Sequence, residues 1–590
     1  MVAGLHGPGS VNIAHDKSGT IYAAVAGDVL VAPGDGVEGG WGPSSVADAW
    51  AAASVSTPNL TEGAFVCLVW DSKVRKCYAF NDFIGQGALY YTHFQGATYF
   101  SSQLAPFLLC EGIPAAINRN GLRLYFTFKC IPGRETILAE TKKVPPGSLT
   151  LIGPSEIRSR RYWRLGNIRT DFTASTESFT QRFVALMDTS VQSRLSHSRG
   201  QVGILLGGLD SSVVAAFMRR NTSERIVALT ASFDDPKFNE RGVREVSAAL
   251  GLDLKEVPVG EEKWPEIMEA MAEAYDEPVS DMIASPIAFA MVKRSLGLET
   301  FFDGTGGDDL FHGIPHGVGR LDKIADLIPE RIRASVGSGL GMAYGSSHTR
   351  RRVLLPISRL LASSVERELN SWRAMQEDQV TLLMKREPKG GSDGSAPNPL
   401  GPLVSDITSE LRGIERDPAN FSVSTAVSLY FAPVHGYDCC RDRALSNEYG
   451  VSIASPYHQR GLYDLALSVP WYRNIPVRGL TKPLLRRIAI RRKLLPPDVV
   501  FLTKMGLGSS YRSLTETYVG DWVKNQLSGW VSDVLAENLG PLSDFIDRDR
   551  VKRLVLEKRV QQAFLVVMFA LWYKKYFGDR GVVLRRSKTE

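Results

Sequence analysis

The segment Ile204-Leu205-Leu206-Gly207-Gly208-Leu209-Asp210-Ser211-Ser212 constrains what this chain can fold into more than any other stretch. An apolar run of strand character ends in two glycines, and a carboxylate and two hydroxyls open the helical pattern that follows. Glycines let backbone N–H groups approach an anion, and a helix N-terminus favours negative charge there. The hydroxyls of Ser211 and Ser212 add donors, and Asp210 can hold a Mg²⁺ ion that bridges phosphates. The spacing is neither the GxxxxGK[ST] of a Walker loop nor the GxGxxG of a dinucleotide fold. A phosphate site on an α/β sheet is the expectation.

The flanking pattern agrees. Phe179, Phe183, Met187, Val191 and Leu195 recur at four-residue spacing on one helix face before the strand Val202 to Leu206. A helix from about Ser211, a strand Ile226 to Ser232, a helix Glu240 to Leu250 and a strand Leu254 to Val259 follow, the rhythm of a doubly wound parallel sheet. Upstream, short β-rich runs at Thr20 to Ala26, Gly63 to Trp70, Lys76 to Asn81, Ala88 to Tyr91 and Thr98 to Ser101 read as an antiparallel-sheet domain. Two domains are expected, 1–165 and 175–590, the second with a variable insertion at 320–410. Within it, 387–402 is too poor in apolar residues to offset its chain entropy and reads as a mobile loop. A single core helix is expected from Val551 to Phe577.

A second apolar run, Phe301-Phe302, ends in Asp303-Gly304-Thr305-Gly306-Gly307-Asp308-Asp309. Acids at a buried strand end are costly unless a cation compensates them, so Asp210 and Asp308 are the expected metal pair. Lys482 and Lys504 lie in apolar surroundings further on, but a lone lysine is ordinarily a solvated surface charge. The balance of 69 Lys and Arg against 63 Asp and Glu, net +6 over 590 residues, is too diffuse to argue for nucleic acid. Six cysteines without a CxxC pair suit a reducing cytosol. Residues 1–10 carry no signal-peptide pattern, and the longest apolar run, Ala563 to Tyr573, is too short to span a membrane. A cytoplasmic, soluble protein is expected.

Taken together, the motifs resemble the asparagine synthetase family. Leu-Gly-Gly-Leu-Asp-Ser-Ser at 206–212 is similar to its SGGxDS pyrophosphate loop, and 304–311 to its GxGxDExF element. Ala274-Tyr275-Asp276-Glu277-Pro278, Ser455-Pro456-Tyr457, Lys482-Pro483-Leu484-Leu485-Arg486 and Lys504-Met505-Gly506-Leu507 follow in the family's order. Asp82-Phe83-Ile84-Gly85, Tyr99-Phe100-Ser101-Ser102, Val144-Pro145-Pro146-Gly147 and Arg161-Tyr162-Trp163 resemble its glutaminase domain. The resemblance implies an α/β protein: an Ntn-hydrolase-like αββα sandwich and a doubly wound ATP-pyrophosphatase domain with added helices. It implies ATP on the backbone of Ile204 to Leu206 and Gly304, and pyrophosphate on Gly207, Gly208, Asp210, Ser211 and Ser212 with Lys482. It also implies Mg²⁺ on Asp210 and Asp308, and Lys504 as the catalytic lysine that neutralises the oxyanion and leaving phosphate.

Departures from the pattern point to the substrate. Glutamine-dependent members begin Met-Cys, whereas this sequence begins Met1-Val2-Ala3-Gly4 and its first cysteine is Cys67, so no glutaminase activity is expected. The amine then belongs to the substrate. Two branches share that loss, the β-lactam synthetases and the lasso peptide cyclases, which join a peptide's N-terminal amine to an Asp or Glu side chain. Thr305 stands where the β-lactam enzymes place a Tyr whose dyad deprotonates the amine, and a threonine hydroxyl cannot serve as that base. The resemblance therefore implies a lasso cyclase: a leader-free core peptide as substrate, with a leader-binding protein and a leader peptidase as partners. A β-lactam or ammonia-dependent amide ligase, and an inactive peptide-binding scaffold, are the alternatives. The base is open among Asp309, Glu277, His312 and water. Leu206 replaces the loop's opening Ser, Gln459 stands where Asp is common, and His312 with His316 lacks a third metal ligand.

Overall fold

The computed structural model describes residues 12–31, 42–110, 112–153, 157–198, 200–233, 240–281, 284–311, 383–384, 437–470, 480–501, 525, 527–538, 541–557 and 559–578. Nearly all of the 320–410 insertion, its 387–402 loop and the arginines within it lie outside the described residues.

The N-terminal part holds two antiparallel sheets. One has six strands in the order β1 (Asn12–His15), β2 (Ile21–Val31), β3 (Thr61–Asp71), β4 (Lys76–Asn81), β8 (Ser148–Ile152) and β9 (Ile157–Arg161). The other runs β6 (Ala97–Ser101), β5 (Tyr90–Phe94), β7 (Thr141–Lys143). The period-two alternation assigns the faces. Ile21, Ala23, Val25, Phe65, Cys67 and Val69 pack with Trp50 of the helix Pro43–Ala53. The intervening Ala24, Val66 and Leu68 meet Tyr91 and Phe100 from the smaller sheet and Leu89 just before it. Beyond that sheet, the helix Arg119–Phe128 carries Tyr125, whose hydroxyl donates to the Leu565 carbonyl at 2.7 Å. The layers are helix, sheet, sheet, helix: the expected αββα sandwich. The strands run longer than the apolar alternation alone suggested, because β2 and β3 pair in unbroken register from Ile21↔Asp71 to Val31↔Thr61.

The C-terminal part is built on a five-stranded sheet in the order β12 (Asp253–Pro258), β11 (Val227–Ser232), β10 (Val202–Leu205), β13 (Thr300–Phe302), β14 (Ser452–Ala454), parallel throughout. β10, β11 and β13 are buried, which is why they read as continuous apolar runs. The chain moves outward from β10 to β11 and β12, then returns past β10 to add β13 on its other side. Strand order therefore reverses between β10 and β13, and a doubly wound sheet opens its binding crevice at that reversal, beyond the carboxyl ends of the two strands. Those ends are Leu206 and Asp303, where the sequence placed its two motifs.

One expectation is corrected. The C-terminal segment is two helices, Arg548–Leu556 and Val560–Phe577: the first ends at Glu557, whose N–H donates to the Arg553 carbonyl, and Arg559 stands at the start of the second, both charged residues with nothing apolar to bury. The second helix is buried on every side from Ala563 to Tyr573, so it serves as core. Among the described residues, no helix is long and apolar enough to cross a membrane.

Candidate active site

The loop after β10 is shaped by its own hydroxyls. Ser211 Oγ accepts from the N–H groups of Gly207 at 3.1 Å and Gly208 at 3.2 Å, and Ser212 Oγ donates to the Gly208 carbonyl at 2.7 Å. Gly208 is in extended backbone that any residue adopts, and a Cβ built on it would meet no described atom within 4 Å. Packing thus gives no reason for glycine at 208, whereas a ligand lying against that backbone does. At Gly304 and Gly307 the reverse holds, since a Cβ would come within 2.5 Å of Ser211 N and 2.6 Å of Asp210 Cγ. Glycine there lets the loop after β13 close on the loop after β10, bringing Asp308 alongside Asp210.

Lys482 completes the arrangement. It precedes Pro483, which opens the helix Pro483–Arg491, and a residue before proline is disfavoured in the right-handed helical region. Lys482 takes the left-handed conformation instead, at φ 58°, a strained choice for a lysine. Its ammonium bridges Asp210 and Asp308. The Lys482 side chain is 2% exposed, that of Asp210 14% and that of Asp308 34%. Burial disfavours the lysine's charge, but the two carboxylates outweigh burial and hold its pKa above the usual lysine value. The cation therefore stays protonated. Two carboxylates are too few for a protein-only metal cage, and no cluster of three potential ligands occurs among the described residues. A Mg²⁺ ion on Asp210 and Asp308 would take its other ligands from phosphate oxygens and water, as Mg²⁺ on a nucleotide does. The donor set fits that group.

A second cluster, which sequence reasoning missed, flanks the loop after β13. Asp303 is buried and accepts from Ser455 Oγ at 2.7 Å, from Thr305 N at 3.2 Å and from the Thr305 hydroxyl. Arg441, on the helix Tyr437–Tyr449, donates to Asp303 at 3.2 Å, to Thr305 Oγ1 at 2.9 Å, to Asp442 at 2.8 Å and to Asp438 at 3.1 Å. Burial opposes the Arg441 charge, but Asp442, Asp438 and Asp303 raise its pKa well above normal. Burial also pushes the carboxyl of Asp438 up to about 6 and that of Asp442 up to about 7, because one guanidinium cannot balance three carboxylates. Asp309 is half-buried, and burial together with Asp438 and Asp308 pushes its carboxyl well above the usual range. Asp303 was visible in the sequence as the residue before Gly304. Arg441 gave no signal beyond its place beside the Cys439-Cys440 pair.

The structure thus gathers Ile204, Leu206, Gly207, Gly208, Asp210, Ser211, Ser212, Gly304, Thr305, Asp308, Asp309 and Lys482 at the strand-order reversal. Lys504, His312 and His316 lie outside the described residues. Glu277 is removed from the candidates for the base: it is buried, paired with Lys143, and accepts from the Ile137 N–H at 3.0 Å, so it ties the two domains together. Gln459 is buried at the start of the helix Arg460–Leu467 rather than in the acid cluster.

A glycine turn between strand and helix, a lysine-bridged acid pair and a doubly wound sheet, joined to an αββα sandwich, make up the architecture in which comparison with known proteins places this chain. The chain belongs to the asparagine synthase family, whose profile matches residues 182–574, and a glutamine amidotransferase domain profile matches residues 45–163. Members of that family are ATP-dependent amide ligases. A relative, asparagine synthetase [glutamine-hydrolyzing] 1 of Bacillus subtilis, is 22% identical over 544 residues, covering 87% of this chain and 77% of its own length. Putative glutamine-hydrolyzing asparagine synthetases of Mycobacterium bovis and Mycobacterium tuberculosis are 24% identical over 286 residues, which is 47% of this chain and 43% of theirs.

Proposed function

We propose that this family member is an ATP-dependent macrolactam synthetase of the lasso peptide cyclase type. It adenylates an Asp or Glu side chain of a leader-free peptide and closes the ring with that peptide's N-terminal amine, releasing pyrophosphate and AMP. The observation that carries the ligase chemistry is the buried Lys482 ammonium between Asp210 and Asp308 at the mouth of the β10–β13 crevice. Lys482 binds and orients the phosphates beside the 207–208 turn, and Mg²⁺ when bound draws charge from the departing pyrophosphate. The substrate carboxylate oxygen then bonds to the α-phosphorus as pyrophosphate leaves. The amine nitrogen bonds to the acyl carbon as AMP leaves, with Lys504 assigned to the developing oxyanion. Asp309, which makes no hydrogen bond among the described residues, is the group assigned to take the amine's proton.

Two observations support the macrolactam branch. The Thr305 hydroxyl is spent between Asp303 and Arg441, so that position holds no base for a small-substrate dyad. Burial pushes up the thiols of Cys67, Cys77, Cys130, Cys439 and Cys440, with Cys77 reaching about 12, so none of these is an activated glutaminase nucleophile. A cytoplasmic setting and delivery of the peptide by a leader-binding protein and a leader peptidase complete the reading.

The test is mass spectrometry of a leader-free candidate peptide incubated with the protein, ATP and Mg²⁺, with AMP followed in parallel. Loss of one water from the peptide with AMP release supports the proposal; AMP release with small amino acids and no peptide reaction moves the assignment to a small-molecule amide ligase. No AMP under either condition favours the peptide-binding scaffold. In the same assay, Lys504→Met is expected to lower amide formation by roughly 10²- to 10³-fold while leaving nucleotide binding largely intact. A variant that cyclises at the original rate removes Lys504 from the chemistry.

A further inference from the structure

The N-terminal domain reaches the crevice through one turn. Asp82 is buried, and its Oδ1 accepts from the N–H groups of Ile84 at 3.2 Å, Gly85 at 2.8 Å and Gln86 at 2.9 Å, while Oδ2 accepts from Gly87 at 2.7 Å. Four backbone bonds on one carboxylate close residues 82–87 into a rigid turn. The Gly85 and Gln86 carbonyls and the Gln86 Oε1 face the other domain.

Two struts leave this turn. In the first, the carbonyls of Gly85 and Gln86 accept from Arg443 Nη1 at 3.1 and 3.0 Å. Arg443 lies two residues beyond Arg441 on the helix Tyr437–Tyr449, so the arginine that holds Asp303 and Thr305 is fixed by the arginine that grips the turn. In the second, the Gln86 side-chain amide donates to the Gly63 carbonyl at 3.1 Å, which turns its Oε1 toward His458 Nδ1 at 3.2 Å. An amide oxygen only accepts, so His458 carries its proton on Nδ1 and presents Nε2 as an acceptor. Arg194 fixes the same residue from behind by donating to the His458 carbonyl at 2.9 Å.

His458 is 0% exposed, and burial together with Arg194 and Arg441 pushes its pKa down to about 3, so the ring is neutral. It lies against Gly306, where a Cβ would come within 2.9 Å of the imidazole Cδ2. Gly306 has φ +90° and directly precedes the helical turn Gly307–Leu310 that carries Asp308 and Asp309. Both struts therefore start at the Asp82 turn and end on the short loop that follows β13.

We propose that the Asp82 turn is a positioning device for the synthetase site: through Arg443 and Arg441, and through Gln86 and His458, it sets the loop that bears Thr305, Asp308 and Asp309. The N-terminal domain is thereby required for the ligase reaction whether or not it hydrolyses glutamine. Gln86, Arg443 and His458 are positioning residues, each acting through another group. The inference rests on the proposed function only in taking ATP·Mg²⁺ as the probe.

The test uses the full chain with Gln86→Leu, Arg443→Met and Gln86→Glu, and measures ATP binding by calorimetry with Mg²⁺ and in EDTA, beside the melting temperature. Gln86→Leu removes the acceptor for the His458 proton, and Asp308 then loses its fixed place. The dissociation constant for ATP·Mg²⁺ is expected to rise by about tenfold, the effect typical of removing a group that orients a metal ligand, while weak binding in EDTA is unchanged. Gln86→Glu keeps an oxygen facing Nδ1–H and recovers most of the loss. A purely structural role for Gln86 would move the melting temperature without a Mg²⁺-specific loss or a rescue. If Arg443→Met does not fold, the Gln86 pair alone decides. Unchanged ATP·Mg²⁺ binding in folded Gln86→Leu, or a loss equal in Mg²⁺ and EDTA, overturns the positioning role. Absence of ATP·Mg²⁺ binding by the unaltered chain overturns the proposed function, and this inference with it.

Discussion

Lys482→Met is expected to lower Mg²⁺-dependent ATP turnover by on the order of 10³-fold and, at the same time, to make the folded protein more responsive to Mg²⁺. The first effect follows from losing the cation that bridges Asp210 and Asp308, where phosphate charge would be met. The second follows from what is left behind. Methionine keeps most of the lysine's apolar stem, so the change leaves little cavity, but the two carboxylates lose the ammonium that bridges them. Like charges that close cannot both ionise cheaply, so one carboxyl's pKa rises. Added Mg²⁺ relieves that repulsion and binds the folded state alone, a gain of about 2.7 kcal/mol at roughly 100 times its Kd. Thermal melts across a Mg²⁺ series, run beside ATP turnover, separate the two effects. A variant whose melting temperature responds to Mg²⁺ no more than the original, or one that turns over ATP normally, shows that Lys482 does not occupy the cation position.

How much of this site is legible in the sequence follows from which contacts are local. The turn at Gly207-Gly208 and the hydroxyls of Ser211 and Ser212 act within five residues of one another, so the apolar strand, the glycines and the helix start can be read directly from the order of residues. The loop at 303–309 is readable for the same reason. Its contact with the first loop is only inferable from charge, since Gly304 and Gly307 reveal their purpose once Asp210 and Ser211 are seen beneath them. Lys482 is reachable only through the family resemblance, because a left-handed lysine before Pro483 leaves no periodic trace.

Arg441 and His458 are beyond sequence reasoning altogether. The helix Tyr437–Tyr449 reads Tyr-Asp-Cys-Cys-Arg-Asp-Arg, charged on nearly every face, and such a run is ordinarily solvated. Here it is buried because it enters between two domains, and its charges find partners 136 to 358 residues away. A long helix with one apolar stripe, such as Thr176–His197, declares its packing in its own period. A helix that packs through ion pairs does not, since the matching acid can come from anywhere in the chain. The single expected helix over 551–577 fails for a related reason: the first helix ends at Leu556 and the second begins at Val560 with neither glycine nor proline between them to announce the break.

Arg441→Met tests that buried network most severely. Asp303, Asp438 and Asp442 would lose the guanidinium they share, and the Arg441 side chain is only 10% exposed, so water does not readily replace it. Removing one partner of a buried charge network ordinarily costs about 3–5 kcal/mol, because the remaining charges are left uncompensated. The sign of the pH dependence is fixed by the carboxyls. Asp438 and Asp442 are already raised to about 6 and about 7 with the arginine present, against an unfolded value near 3.8, and its removal raises them further. A group whose folded pKa lies above its unfolded one contributes stability that is present in acid and lost as pH rises through the folded value. The variant should therefore be most destabilised above pH 7 and recover toward the original as pH falls to about 5, where Asp438 and Asp442 protonate and no longer need a counter-charge. His458 acts in the same direction: burial, Arg194 and Arg441 push its folded pKa down to about 3, so stability falls as pH drops below about 6.5, and losing Arg441 relieves part of that acid penalty in the variant. Chemical denaturation of the two proteins at pH 5, 6, 7 and 8 measures the difference directly. A stability gap that is constant across that range, or that widens in acid, would show that Arg441 is not the counter-charge of the cluster.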